Sequence, residues 1–389
     1  MRFGLSRVAV PAVLLVSVLV ACGDESVGPD YGPYSTARIP ADYDAGLSNG
    51  RGILVESLRL GERVSFADQI DPDLTSTGSG GVLVDHRGLV PGRNILSGAQ
   101  SAAAGKHDIL GAFGVFADNG QAADKDAKFV SISLLAFPSE DIARTAVAEM
   151  ARADFEQNPG NQPLVLPEYP GALTHWYPSV PTVGSWLTWK SLVIRVYAKV
   201  LEPRADLLSE VVAKTYRTQL ADLAGFTPTP QADLAALRID PDGLLARVVQ
   251  TGEAELDDKT FAVYGPRALA LMMSRPSKAL ATFRAASVSQ IAVAHDHYLR
   301  RTGSPEIAAA EADRLTREGN EDYLAMPGIE SLPTVSCWKA KFPLRGSHKA
   351  SRFKCIVYRG VDLALVYSYL ESDVRHLAAA QYALLAQDR

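Results

Sequence analysis

The feature that most constrains the fold is an order of elements that occurs twice. In the first half "KFVSISLLAF" alternates as a strand, with Val130, Ile132 and Leu134 on one face. It runs into "PSEDIARTAVAEMARADF", where Ser139 is placed to cap a helix and Ile142, Ala146, Met150 and Ala153 recur at helical spacing. "SWLTWKSLVIRVYAKVL" is rich in the branched and aromatic residues that strands favour, and "RADLLSEVVAKTYRTQLADLAGF" is an amphipathic helix. In the second half "VSQIAVAHDHYL" reads as a strand, followed by a helix, "GSPEIAAAEADRLTREG", with Ser304 as cap and Pro305 in its first turn. "VSCWKAKF" and "RFKCIVY" make a hairpin, "VDLALVYSYL" another strand, and "SDVRHLAAAQYALLAQ" a closing helix. Local echoes, such as "PSEDIA" against "GSPEIA", support an internal duplication.

This order lacks the steady strand–helix alternation of a doubly wound sheet. The expected class is α+β: two related domains, each a mostly antiparallel sheet with helices packed on one face. The Pro-rich "TPTPQADLAALRIDPDG" separates them, which gives an N-terminal domain at 46–226 and a C-terminal domain at 227–389. At the start of the first domain, "RGILVESLRLGERVSF" could be helical, and "TSTGSGG" reads as a flexible loop.

The first 21 residues have another purpose. Arg2 and Arg7 precede an apolar run, Val8 to Val20, too short to span a bilayer but suited to a secretory signal peptide. The run ends in "LVAC", which resembles the bacterial lipobox. That resemblance implies cleavage after Ala21 and lipidation of Cys22. Several acyl chains anchor far more firmly than one. Residues 22–45 follow, rich in Gly, Pro, Ser and Asp, and read as a lipidated tether. The protein is therefore expected at the cell membrane, on its extracytoplasmic face.

Cleavage removes Arg2 and Arg7 and takes the formal charge from −5 to −7. Such acidity argues against nucleic acid as a partner. At 47% hydrophobic residues, the chain can fill packed cores. With Cys22 used for the anchor, Cys337 and Cys355 remain as an even pair on a strand–loop–strand segment, where a disulfide is expected in an oxidising compartment.

Four motifs invite a chemistry. "GLSNG" (46–50) matches G-x-S-x-G but has no strand before its serine. "GSGG" (78–81) lacks the lysine and helix of a phosphate loop. In "AHDHY", a strand would turn His295 and His297 to one face as a candidate metal pair. A third ligand is not evident, with His175, His348 and His376 unplaced, and the plainer alternative is a polar strand edge. Residues 331–361 hold no Asp or Glu but seven cations, among them Lys339, Lys341, Arg345, Lys349 and Arg352. That reversal of charge could face anionic lipid or polymer, or could simply keep a hairpin from pairing edge to edge.

The lipobox, "STARIP", "RGILVESLRLGERV", "VYGPRALALMM", the cysteine hairpin and "AAAQYALL" together resemble a family of two-domain secreted lipoproteins from actinobacteria, of unknown function. More remotely, the chain is similar to the extracellular sensor domains of actinobacterial receptor kinases. The resemblance implies an envelope lipoprotein and brings no catalytic residues. The expectation is a membrane-anchored, non-catalytic protein that binds an envelope protein or lipid and needs no cofactor. The alternative is a metal-dependent envelope hydrolase using His295 and His297.

Overall fold

The computed structural model describes residues 28–85, 88–90, 95–121, 126–252, 258–318, 322–342 and 352–387. The leader and Cys22 lie outside them, as do His348, Arg345 and Lys349. The first half contains α1 (Asn49–Gly61), β1 (Ser76–Val82), β2 (Val84–Asp85), β3 (Gly88–Leu89), α2 (Gly98–Ala104), β4 (Gly111–Asp118), β5 (Phe129–Ala136), α3 (Glu140–Phe155), β6 (Gln162–Pro163), β7 (Leu173–Trp176), β8 (Thr182–Trp189), β9 (Leu192–Lys199) and α4 (Ala205–Asp222). After a short α5 (Gln231–Leu234) come β10 (Phe261–Tyr264), α6 (Pro266–Leu271), α7 (Pro276–Ala285), β11 (Gln290–Ala294), β12 (His297–Arg301), α8 (Pro305–Glu318), β13 (Tyr323–Met326), β14 (Val335–Ala340), β15 (Phe353–Arg359), β16 (Asp362–Ser368) and α9 (Glu371–Ala386).

Two seven-stranded antiparallel sheets result, β1-β4-β5-β9-β8-β7-β6 and β10-β11-β12-β16-β15-β14-β13. The order is the same in both, so β10 stands where β1 does and β16 where β9 does. The α+β class and the relatedness of the two domains hold. The helices, however, cover both faces of each sheet rather than one. The central strands are apolar at consecutive positions: Leu134 and Ile194 pack in the core under α4, and Leu135 and Val193 in the core under α3. A strand covered on both sides needs no polar face. In the second sheet Ile356 and Leu365 lie under α8, and Cys355 and Val366 under α9.

Helix starts follow the expected caps. The Ser139 hydroxyl accepts from Ile142 N at 3.2 Å, and that of Ser304 from Ile307 N at 3.3 Å. Ser48 of "GLSNG" is likewise a cap, accepting from Arg51 N at the start of α1.

A second signature of duplication was invisible to periodicity. Gln219 of α4 donates from Nε2 to Arg63 O (2.7 Å) and accepts from Ser65 N (3.0 Å). Gln381 of α9 donates to Arg247 O (2.8 Å) and accepts from Val249 N (2.9 Å). Both amides are fully buried. Each clamps two backbone groups of a segment outside its own helix, a demand set by the burial of unpaired peptide groups.

Two expectations are corrected. "TSTGSGG" and the "GSGG" within it form strand β1, not a flexible loop. Glycine is needed there because a Cβ on Gly80 would lie 2.7 Å from Leu271 O of α6. The tether reading also fails from residue 28 onward. Tyr34 donates to Asp373 at 2.6 Å, and Arg38 donates to Leu384 O (3.1 Å) and Gln387 O (2.5 Å). A cation on the last carbonyls of a helix satisfies acceptors that have no partner inside it. Residues 30–38 therefore form a strap along α9, held by groups more than 330 positions away in sequence, while Ala41 and Asp44 are held by Arg238.

The domains also meet directly. Glu62, at the end of α1, accepts from Ala268 N of α6 at 2.6 Å, and Arg267 donates back to Glu62 O (2.9 Å) and Val64 O (3.1 Å). Burial raises the Glu62 pKa despite these bonds. No helix among the described residues is long and apolar enough to cross a membrane.

Cys337 and Cys355 face each other across β14 and β15 and form a disulfide in the core beneath α9. Changing both to serine is expected to lower stability by about 3 kcal/mol on the chain-entropy account. Urea unfolding of the variant and of the reduced wild type checks this; equal midpoints for oxidised and reduced wild type would refute it.

Candidate functional site

An apolar cavity lies at the open edge of the first sheet. Ser139 fixes the start of α3, whose last turns carry Ala148, Ala151 and Phe155 past β7. Beyond α3, Asn161 Nδ2 donates to Phe155 O at 2.8 Å and turns the chain back along the edge. Pro163 is tolerated because β6 is an edge strand, paired only with β7. Two tight turns, Tyr169 N to Leu166 O and Ala172 N to Tyr169 O, then bring the chain into β7. Between these walls is a pocket of about 490 Å³, with Leu166 and Tyr169 on one side, α3 on the other and His175 at its floor. Val165 and Leu173 expose apolar surface at its mouth, where Arg152 also stands in solvent.

Two polar layers underlie the pocket. Toward α3, Trp186 Nε1 donates to Asp154 Oδ2 at 2.9 Å, and His175 Nε2 lies 4.0 Å from the same oxygen. Phe155 stands edge-on to the His175 ring at 5.7 Å. Gly184 makes the room: a Cβ there would fall 2.7 Å from His175 Cε1. Burial lowers the His175 pKa, Asp154 pulls it up in part, and Arg195 pushes it down, so the floor is a neutral imidazole at pH 7. Arg195 is itself buried, with Trp186 and Tyr197 against its guanidinium and Ser131 accepting at 3.3 Å. Burial lowers it to about 10, so it stays charged.

Toward α4, Thr174, Ser185 and the Tyr216 hydroxyl form a chain of hydrogen bonds of 2.6 and 2.7 Å. Strand alternation decides what these layers can do. His175 and Thr174 are neighbours on β7, as are Gly184 and Ser185 on β8, so the imidazole and the hydroxyl chain point to opposite faces. Asp154, His175 and Ser185 thus do not assemble a base-activated nucleophile. The arrangement suits binding: an apolar cleft with a few fixed polar groups.

The residues singled out from sequence are dispersed. His295 and His297 do not share a strand face. The apparent strand "QIAVAHDHYL" breaks into β11 and β12, and His295 sits in the turn with φ +56°. His297 is buried in β12, where its Nδ1 accepts from Tyr367 N at 3.3 Å. Asp296 lies outward in the turn. Among the described residues no group of three His, Cys, Asp or Glu is placed to hold a metal. His376 faces Asp30 of the strap at 3.1 Å. Lys339, Lys341 and Arg352 collect at one end of the second sheet. Asp154, Arg195 and the pocket were missed: the pocket is lined from α3, the 163–172 segment and β7, and the polar groups beneath it come also from β8 and β9, with no local spacing to mark them.

The fold defines a duplicated two-domain α+β protein with a closed core and an edge pocket. Two family models match most of it: Domain of unknown function (DUF7373) N-terminal over residues 43–239, and DUF7373 C-terminal over 244–388. The chain belongs to the DUF7373 family. No curated protein matches it. It is similar to the solved extracellular domain of PknH from Mycobacterium tuberculosis at 13% identity and a TM-score of 0.31, covering 41% of this chain and 96% of that one. That likeness is too distant to define a shared fold or role.

Proposed function

We propose that this chain is a lipid-anchored, extracytoplasmic binding protein whose first domain takes up an amphiphilic small molecule. The observation that carries the reading is the pocket of about 490 Å³ between α3 and β7. Its walls are apolar, its floor is an uncharged histidine, and its mouth bears Arg152. An alkyl chain with an anionic end matches that gradient, the chain entering the cleft and the charge staying at the guanidinium. The leader, Cys22 and a buried disulfide support export and anchoring.

A fluorescent alkyl carboxylate titrated into the purified chain tests the reading, with unlabelled decanoate as competitor. Saturable binding is expected. Ala148→Trp, which places a large ring at the exposed lip of the pocket, is expected to weaken it at least about tenfold, or about 1.4 kcal/mol. Arg152→Glu should weaken carboxylate binding while leaving the matching alcohol nearly unaffected. A wild-type chain that binds neither probe, or an Ala148→Trp variant that binds as well as wild type, refutes the assignment.

A further inference from the structure

We infer that the end of the second sheet where β14, β15 and β16 meet α9 is a docking face for an anionic lipid surface. This goes beyond the pocket and concerns a different domain. Across the sheet, Leu324, Lys339, Phe353 and Ser368 form one row of directly paired residues. Chain connections continue that row outward to Phe342, Arg352, Tyr369 and Leu370. Four apolar side chains there are left in solvent: Phe342 is 76% exposed, Leu370 59%, and Tyr369 and Leu324 55% each. So many large exposed apolar groups at one corner mark a surface that meets something.

Cations are interleaved with them. The Arg352 guanidinium lies 5.5 Å from both the Phe353 and the Tyr369 rings, and Lys339 Nζ lies 5.9 Å from Phe353. Lys341 adjoins Phe342. Two nearby carboxylates are already engaged. Asp373 accepts from Tyr34 and Ser368 at 2.6 Å each, and Glu371 pairs with Arg375 at 3.4 Å. The backbone of exposed Asp322 accepts from Lys341 N at 2.8 Å. Aromatic and aliphatic groups among Lys and Arg are the composition that seats a protein in the headgroup layer of an anionic bilayer.

The strap says which partner this is. Tyr34 is hydrogen-bonded to Asp373, which in turn holds Ser368, the residue next to Tyr369. Asp30 sits one helical turn further on, against His376. Cys22 precedes residue 28 by six positions, a reach of roughly 20 Å at most. A lipid on Cys22 therefore keeps this corner, rather than a freely swinging domain, close to the bilayer.

The test uses the full chain with Cys22→Ser, so that the surface is read without its anchor. It is sedimented with vesicles of phosphatidylcholine alone or with one-third phosphatidylglycerol. Binding is expected only to the anionic vesicles and is expected to weaken with salt. A Lys339→Glu, Lys341→Glu, Arg352→Glu variant should bind on the order of a hundredfold less, about fivefold per cation. Phe342→Trp, at an exposed site that folding does not need, should shift its emission to the blue on anionic vesicles. Equal binding to both vesicle types, undiminished binding by the charge variant, or an unshifted Phe342→Trp spectrum overturns the inference. The pocket assignment, read with soluble probes, stands or falls separately.

Discussion

Gln381→Leu is expected to lower the free energy of unfolding by about 4 kcal/mol. The leucine fills nearly the same space, but Arg247 O and Val249 N lose their partners in a site closed to water. Each stranded peptide group costs about 1–3 kcal/mol. Gln219→Leu should behave alike, because Arg63 O and Ser65 N are held the same way. Urea unfolding measures both. A loss below about 1 kcal/mol in either variant would mean that the freed groups find other partners and that the clamp is incidental. The experiment also tests the duplication energetically, since related domains that kept one device should depend on it to a similar degree.

The second large effect is one of pH. Burial is the main cause that lowers His297 to about 4; Asp296 and Asp373 offset it in part, and His295 adds to it. In the unfolded chain the ring titrates near 6.5. Between those values the unfolded state binds the extra proton. Stability from the neutral ring is therefore complete above pH 6.5 and is lost as the pH falls toward 4, by roughly 3 kcal/mol in all. His297→Gln, which can still accept from Tyr367 N, should remove that part of the acid sensitivity. Urea midpoints from pH 7.5 to 4 that fall in parallel for the variant and wild type would exclude His297 as the cause.

Much of the architecture was legible because its signals are local. Ser139 and Ser304 announce helices within three residues, and the cysteine hairpin carries its own strand patterns. What failed was non-local. "TSTGSGG" has a loop composition, and only the nearness of Leu271 O explains why a strand there must be glycine-rich. "QIAVAHDHYL" shows no break, because a turn at His295 and Asp296 uses neither glycine nor proline. The strap has the composition of a tether, and its partners lie at the other end of the chain. The pocket was the least legible, since Asp154, His175 and Arg195 are ordinary residues until three strands and a helix bring them together.

The strap has a consequence for how the protein is made. Tyr34 and Arg38 are made more than 330 residues before their partners Asp373, Leu384 and Gln387. That segment must therefore wait, unpaired, until α9 has been made. Closure of the strap is then a late event, and it reports that α9 is in place. A chain stalled or cut before α9 would have both domains' sheets in part but would leave this segment loose and open to proteases.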